Sequence, residues 1–367
     1  MPVKKSSVPK EVQALMKDIT KKWKTSKVHN FAADPIEFEV TATGRPTIDF
    51  VTNGGFKRGS ISLIGGVRSS GKTMLAFQGG KKIIDLDPKY RIAYVDSEHS
   101  VDNNHLINMG IDPGKVERYD FETLEDAIDA MTQAIMPSGL YPVIIWDSPY
   151  NMMSVEQSGK TAKDRSRANM ALILSVEAKR LSRAANITNT SLIICAHVSQ
   201  NQERLTKYDP RFYIAGGERL MHNCDLILMM FPLVKAKGDK NEWGYDSIIG
   251  RKVKIVCEKC KYGPDWKVGT LIRLHEGGFD ITEDVFYTGS KFGIIEGERT
   301  RMYGDLKLGG SRDKAVAFMK ANPDTTEDIR KAIDQHYIDN EMVYTTDINA
   351  SFITDEDLEE SKKEDDE

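Results

Sequence analysis

Residues Gly66-Val67-Arg68-Ser69-Ser70-Gly71-Lys72-Thr73 fit the spacing G-x-x-x-x-G-K-T, and no other stretch of the chain limits its fold as tightly. A loop of this kind works only between a strand and a helix, because its N–H groups must converge on one phosphate at the positive end of a helix. Both flanks fit. The apolar run Ser60–Gly65 reads as a strand buried on both faces, and the period of Lys72–Asp85 predicts a helix. Gly66, Ser69, Ser70, Gly71 and Met74 are then expected to line a nucleotide cradle, with Lys72 reaching the β- and γ-phosphates of ATP and the Thr73 hydroxyl ligating Mg²⁺.

A phosphate cradle needs a carboxylate at the end of a neighbouring strand, and Val143-Ile144-Ile145-Trp146-Asp147-Ser148 provides one at Asp147, a second Mg²⁺ ligand. Further strands are predicted at Ile92–Asp96, Ser191–His197, Asp225–Pro232 and Arg251–Cys257, with helices at Glu122–Met136 and Ala168–Ala185. Strands alternating with helices point to an α/β fold, a mostly parallel central sheet flanked by helices. All strand ends then share one edge, where Glu98 and His197 meet Asp147 beside the γ-phosphate, Glu98 placed to activate water. The sheet is expected to continue through antiparallel strands at Lys267–Leu274 and Phe279–Thr288. Small helices are predicted at Asp313–Ala321 and Thr326–Tyr337.

Hydrophobic residues at 40% and charged residues at 29% are ordinary globular values and exclude collagen-like, disulfide-scaffold and wholly disordered chains. The apolar runs are too short to span a bilayer, so no membrane partner is expected. Four cysteines, Cys195, Cys224, Cys257 and Cys260, suit a reducing cytoplasm, and the pair Cys257-x-x-Cys260 lacks the second pair of ligands that structural zinc needs. Charge is uneven: residues 1–27 carry eight lysines against Glu11 and Asp18, and Asp355–Glu367 holds nine acidic residues against Lys362 and Lys363. Four segments follow: an N-terminal helix and strand arm (1–40), the ATPase core (41–290), a small C-terminal domain (291–350) and an acidic tail expected to be disordered (351–367).

Two basic segments without periodicity interrupt the core. Ser154–Arg167 carries Lys160, Lys163, Arg165 and Arg167, and Ser199–Gly217 carries Arg204, Lys207 and Arg211 with Tyr208, Phe212 and Tyr213 interleaved. Cations offset phosphate charge and aromatic faces support bases without reading sequence, yet composition alone describes two solvated loops as well as a DNA contact. Gly216 and Gly217 would let the second loop reorder.

Ala93-Tyr94-Val95-Asp96-Ser97-Glu98-His99-Ser100-Val101-Asp102, the two phosphate-site motifs, Asn108-Met109-Gly110-Ile111-Asp112-Pro113 and Val256-Cys257-Glu258-Lys259-Cys260-Lys261 together resemble the RecA recombinases, especially the phage UvsX-like branch, over roughly residues 40–337. The resemblance implies a RecA-like core and ATP bound between neighbours of a helical homo-oligomeric filament. It implies a recombinase that pairs single-stranded DNA with homologous double-stranded DNA and exchanges strands. It implies that Lys259 and Lys261 reach a neighbour's phosphates, and that His197 senses the γ-phosphate at a position held by glutamine in bacterial RecA. His105 stands where the family stacks a tyrosine on adenine, with Asp102 nearby, and Ala196 replaces the usual asparagine before the sensor. The N-terminal helix, with its stripe Val12, Leu15, Met16 and Ile19, and the strand-like Ile36–Thr41 would join protomers. Single-strand-binding and mediator proteins are the implied partners, in the host cytoplasm. Two other readings stay open: a hexameric helicase on a related core, or a non-hydrolysing ATP-binding mediator.

Overall fold

The computed structural model describes residues 9–22, 38–158, 168–200, 212–214, 218–240 and 246–339. The chain divides into two units, Met1–Glu39 and Val40 onward. In the first, Lys10–Lys22 forms a helix with no buried residue, and Val12 and Leu15 on its apolar stripe are exposed.

The second unit opens with a small ribbon, β1 (Val40–Thr41) against β2 (Phe56–Lys57). The central sheet uses β3 (Ile61–Gly66), β4 (Ile92–Asp96), β5 (Val116–Tyr119), β6 (Val143–Asp147), β7 (Ser191–Gln200), β8 (Phe212–Ile214), β9 (Leu226–Lys240), β10 (Asp246–Cys260) and β11 (Val268–Leu274). Its order is β11-β10-β9-β3-β7-β6-β4-β5, with β8 paired to β7. The strands from β9 to β5 run parallel, while β10 pairs antiparallel with both β9 and β11, and β8 pairs antiparallel with β7. A last hairpin joins β12 (Arg301–Tyr303) to β13 (Leu306–Gly309).

Every residue of β3, β4 and β6 is buried, as a parallel sheet covered on both faces requires. Alternation divides their side chains between two cores. Ile64, Tyr94, Val143, Ile145 and Ile193 pack on one face with Leu75 and Phe77 of the helix Lys72–Ile84. Leu63, Val95, Ile144, Trp146 and Ile194 pack on the other with Leu174, Ala178 and Leu181 of the helix Ala168–Thr188. Gly79 and Gly80 let the first of these helices approach closely: a Cβ on Gly79 would lie 2.8 Å from Phe56 Cε2. The predicted Glu122–Met136 helix begins at Leu124, where the Thr123 hydroxyl caps Asp126 N at 3.2 Å, and it continues through a π turn.

Phe279–Thr288 corrects the sequence expectation, since it is not a strand: Ile281–Lys291 is a helix. The Asp280 carboxylate accepts from Thr282 N at 3.0 Å and Glu283 N at 3.1 Å, and a side-chain cap of this kind outweighs the β-branched and aromatic content that suggested alternation. The C-terminal helices Arg312–Ala321 and Pro323–Asp339 share the first core: Ile329 and Ile333 are fully buried in the cluster that holds Ile48 and Phe50, and Tyr337 donates to Pro46 O at 2.7 Å. None of the described helices is long and apolar enough to cross a membrane.

Candidate functional site

Register sets the site. Gly66 pairs with His197 across β3 and β7, and Asp96 pairs with Asp147 across β4 and β6, so three strands deliver polar side chains to the edge where β3 runs into the phosphate loop. The phosphate loop turns there. Ser69 (φ 61°) and Gly71 (φ 93°) adopt left-handed backbone, and Gly71 starts the helix without a side-chain cap, which leaves the helix N–H groups open toward a ligand. A Cβ on Gly66 would lie 2.5 Å from Ser70 Oγ and 2.8 Å from Met230 O, so the first turn of the loop has no room for one.

Lys72 is buried and its Nζ donates to Gly66 O and Val67 O, both at 3.2 Å, across the mouth of the loop. Thr73 Oγ1 donates to Asp147 Oδ2 at 2.5 Å. Asp147 Oδ1 and Ser70 Oγ are buried without a hydrogen-bond partner. Burial, and then the nearby Glu98, push the Asp147 carboxyl up to about 6, against the Thr73 hydrogen bond and the Lys72 charge. Orphaned oxygens, a buried ammonium and an uncapped helix start together fit a nucleotide phosphate with Mg²⁺. Met74 follows on the same helix and packs on the core.

Glu98 lies in the turn after β4. Asp96, fully buried, accepts from Glu98 N at 3.1 Å, His99 N at 2.8 Å and Tyr94 OH at 3.2 Å, and pairs with Arg118 Nε at 3.0 Å. The Glu98 carboxylate meets His197 Nε2 at 2.8 Å, so the predicted convergence of Glu98, Asp147 and His197 is present. Ser97 ties this turn to the end of β6, donating to Ser148 O at 2.7 Å.

Asp102 and His105 lie together: Asp102 Oδ1 accepts from His105 N and meets His105 Nδ1, each at 2.8 Å, capping the short helix Asn103–Asn108. The amide of His105 holds the Asp102 carboxyl below its ordinary range.

Lys259 and Lys261 lie elsewhere. Lys259 Nζ donates to Met221 O at 2.8 Å and His222 O at 3.1 Å, and Lys261 Nζ meets Asp225 Oδ1 at 2.7 Å. Asp225 N bonds Ile61 O, at the start of β3, whereas the phosphate loop leaves its far end. Five residue steps of strand, about 17 Å, separate them, beyond the reach of a lysine side chain. Within one chain these two cations do not join the site. Cys257 and Cys260 beside them are buried, and Cys257 Sγ donates to Lys259 O at 3.5 Å.

The basic segments begin at this edge. Lys160, Lys163, Arg165 and Arg167 lie outside the described residues, as do Arg204, Lys207, Tyr208, Arg211, Gly216 and Gly217. The second segment is not wholly loop: Val198–Gln200 pairs antiparallel with β8, which includes Phe212, and the buried Ile214 packs where a Cβ on Gly65 would lie 3.1 Å from its Cγ1. Two residues escaped the sequence reading. Asn151 Nδ2 donates to Glu98 Oε1 at 3.2 Å, and the Arg273 side chain lies 3.1 Å from the place of a Cβ on Gly71. Only its place four residues after Asp147 could have flagged Asn151.

The family described as RecA N-terminal domain matches residues 10–280, more than half of the chain. Protein RecA of Aquifex pyrophilus is 25% identical over 306 residues, covering 82% of this chain and 84% of the relative. Protein RecA of Treponema pallidum (strain Nichols) is 28% identical over 308 residues, covering 80% and 70%. The crystal structure of the RadB recombinase superposes with a TM-score of 0.47 at 20% identity, covering 65% of this chain and 98% of that one.

Proposed function

The chain belongs to the RecA family, and we propose that it is an ATP-dependent homologous recombinase, a DNA-stimulated ATPase that forms a helical filament on single-stranded DNA and exchanges strands with a homologous duplex. The contact of Glu98 with His197, beside the phosphate loop and two residues before the second basic segment, is the observation that carries this reading. A P-loop protein that only binds nucleotide has no need of a carboxylate so placed.

Lys72 exchanges its two loop carbonyls for phosphate oxygens, and the loop N–H groups from Ser69 to Thr73 hold the triphosphate in line. Thr73 and Asp147 would hold Mg²⁺, which supplies charge neutralisation on the phosphate oxygens when bound. Glu98 takes the proton of the attacking water, while His197 orients that carboxylate and faces the γ-phosphate. Lys259 and Lys261 act on the neighbouring subunit's nucleotide, stabilising charge on the departing phosphate. Asp102 and His105 take the adenine. Lys160, Lys163, Arg165, Arg167, Arg204, Lys207 and Arg211 hold DNA phosphates, and Tyr208 and Phe212 support bases. A histidine at 197 favours the phage UvsX-like branch, with the host cytoplasm as location and single-strand-binding and mediator proteins as partners.

Strand exchange between circular single-stranded and linear duplex DNA tests the reading. The parent should give joint molecules only with ATP, and Lys72→Ala should give none. Unchanged exchange by Lys72→Ala, or closed six-membered rings on single-stranded DNA in negative-stain images, would overturn it.

A further inference from the structure

We propose that Asn151 is a positioning residue that couples the first basic segment to the water-activating carboxylate; the inference rests on the ATPase reading above. Asn151 closes the turn Pro149–Asn151 directly after β6. Its Nδ2 donates to Glu98 Oε1 at 3.2 Å, and His197 Nε2 meets the same oxygen at 2.8 Å. Two donors on Oε1 fix the rotation of the carboxylate and leave Oε2 to accept the proton from water. The two donors come from different places. His197 precedes the second basic segment by two residues, and Asn151 precedes the first, which starts at Ser154, by three. Each segment thus has its own hand on one oxygen.

The turn that carries Asn151 is fastened at both ends. Asn151 N donates to Ser148 O at 3.2 Å, at the end of β6. Beyond it, Leu124 N donates to Met153 O at 2.8 Å and Val155 N to Glu125 Oε2 at 3.1 Å. These ties and the closed turn hold the Asn151 donor at a set place against Oε1. Displacing that turn moves the Asn151 donor and rotates Oε2 relative to the bound phosphate. Only the amide nitrogen can face the carboxylate, since a carbonyl there would repel it, and the exposed position of Asn151 makes substitution harmless to folding.

Steady-state ATP hydrolysis with and without single-stranded DNA is measured for the parent, Asn151→Ala, Asn151→Asp and Glu98→Gln, with DNA affinity read by fluorescence anisotropy. Both Asn151 variants should lose about tenfold in DNA-stimulated kcat, with the KM for ATP and the DNA affinity held within about twofold. Asn151→Asp keeps the shape and removes the donor, so it should be no better than Asn151→Ala. A parent-like stimulated kcat in Asn151→Asp, or a raised KM at unchanged kcat, overturns the inference. If Glu98→Gln is inactive while Asn151→Asp is parent-like, the positioning role alone fails; if Glu98→Gln keeps the parent rate, the ATPase reading fails and takes this inference with it.

Discussion

Glu98→Gln and the double variant Lys259→Ala/Lys261→Ala should each fail to hydrolyse ATP on DNA, yet an equimolar mixture of the two should be active. The reason is spatial. Lys261 pairs with Asp225 at the start of β3, one strand length from Lys72, so it does not reach the phosphate loop of its own chain, and the proposed filament would bring it to a neighbour's nucleotide. In the proposed head-to-tail filament each nucleotide would meet Glu98 from one subunit and the lysines from the next. With random mixing, about one interface in four combines an intact Glu98 with intact lysines, and the rate should recover to about a quarter of the parent's. Losing Lys261 leaves Asp225 held by Lys57 at 2.6 Å, and a half-exposed ion pair is worth at most about 1 kcal/mol, while losing Lys259 frees the carbonyls of Met221 and His222, so the fold of the double variant is checked directly. The assay is phosphate release on excess single-stranded DNA across mixing ratios, with far-UV circular dichroism of each variant. A mixture no more active than the mean of its components would refute the shared site.

Gly66→Ala should lower the thermal midpoint by an amount corresponding to about 1–3 kcal/mol, because the new methyl meets Ser70 Oγ at 2.5 Å and the fixed carbonyl of Met230 at 2.8 Å; an unchanged melting curve would show that the loop can yield. Stability should also depend on pH through Asp284, whose carboxyl burial pushes up to about 6 against the Thr47 hydrogen bonds and the Arg45 charge. The folded chain then holds this proton more tightly than the unfolded one, so the contribution is full in acid and is lost as pH rises through about 6. Asp284→Asn removes the titration and should flatten the fall of the urea midpoint between about pH 4 and about pH 7; an equal slope in both proteins would contradict it.

Much of this was legible because buried parallel strands announce themselves. Ile61–Gly66, Ile92–Asp96 and Val143–Asp147 are mostly apolar buried runs, and the phosphate loop, Asp96 and Asp147 at their ends had to share an edge once the strands were parallel. Features governed by single hydrogen bonds were hidden. Asp280 turned an apparently alternating stretch into a helix through two backbone contacts. Val116–Tyr119 is short and only half-buried, so it carried no strand pattern. The β9 and β10 strands extend well past their apolar cores into lysine-bearing, partly exposed residues, which pairing alone defines. Asn151 reaches Glu98 across 53 positions of sequence, a contact that spacing does not encode.

Gating of the basic segments by nucleotide is what the whole account requires, and equilibrium binding to a labelled oligonucleotide measures it directly. With a non-hydrolysable ATP analogue and Mg²⁺, binding should be at least about tenfold tighter than with ADP or without nucleotide. Equal affinity in all three conditions would contradict the account.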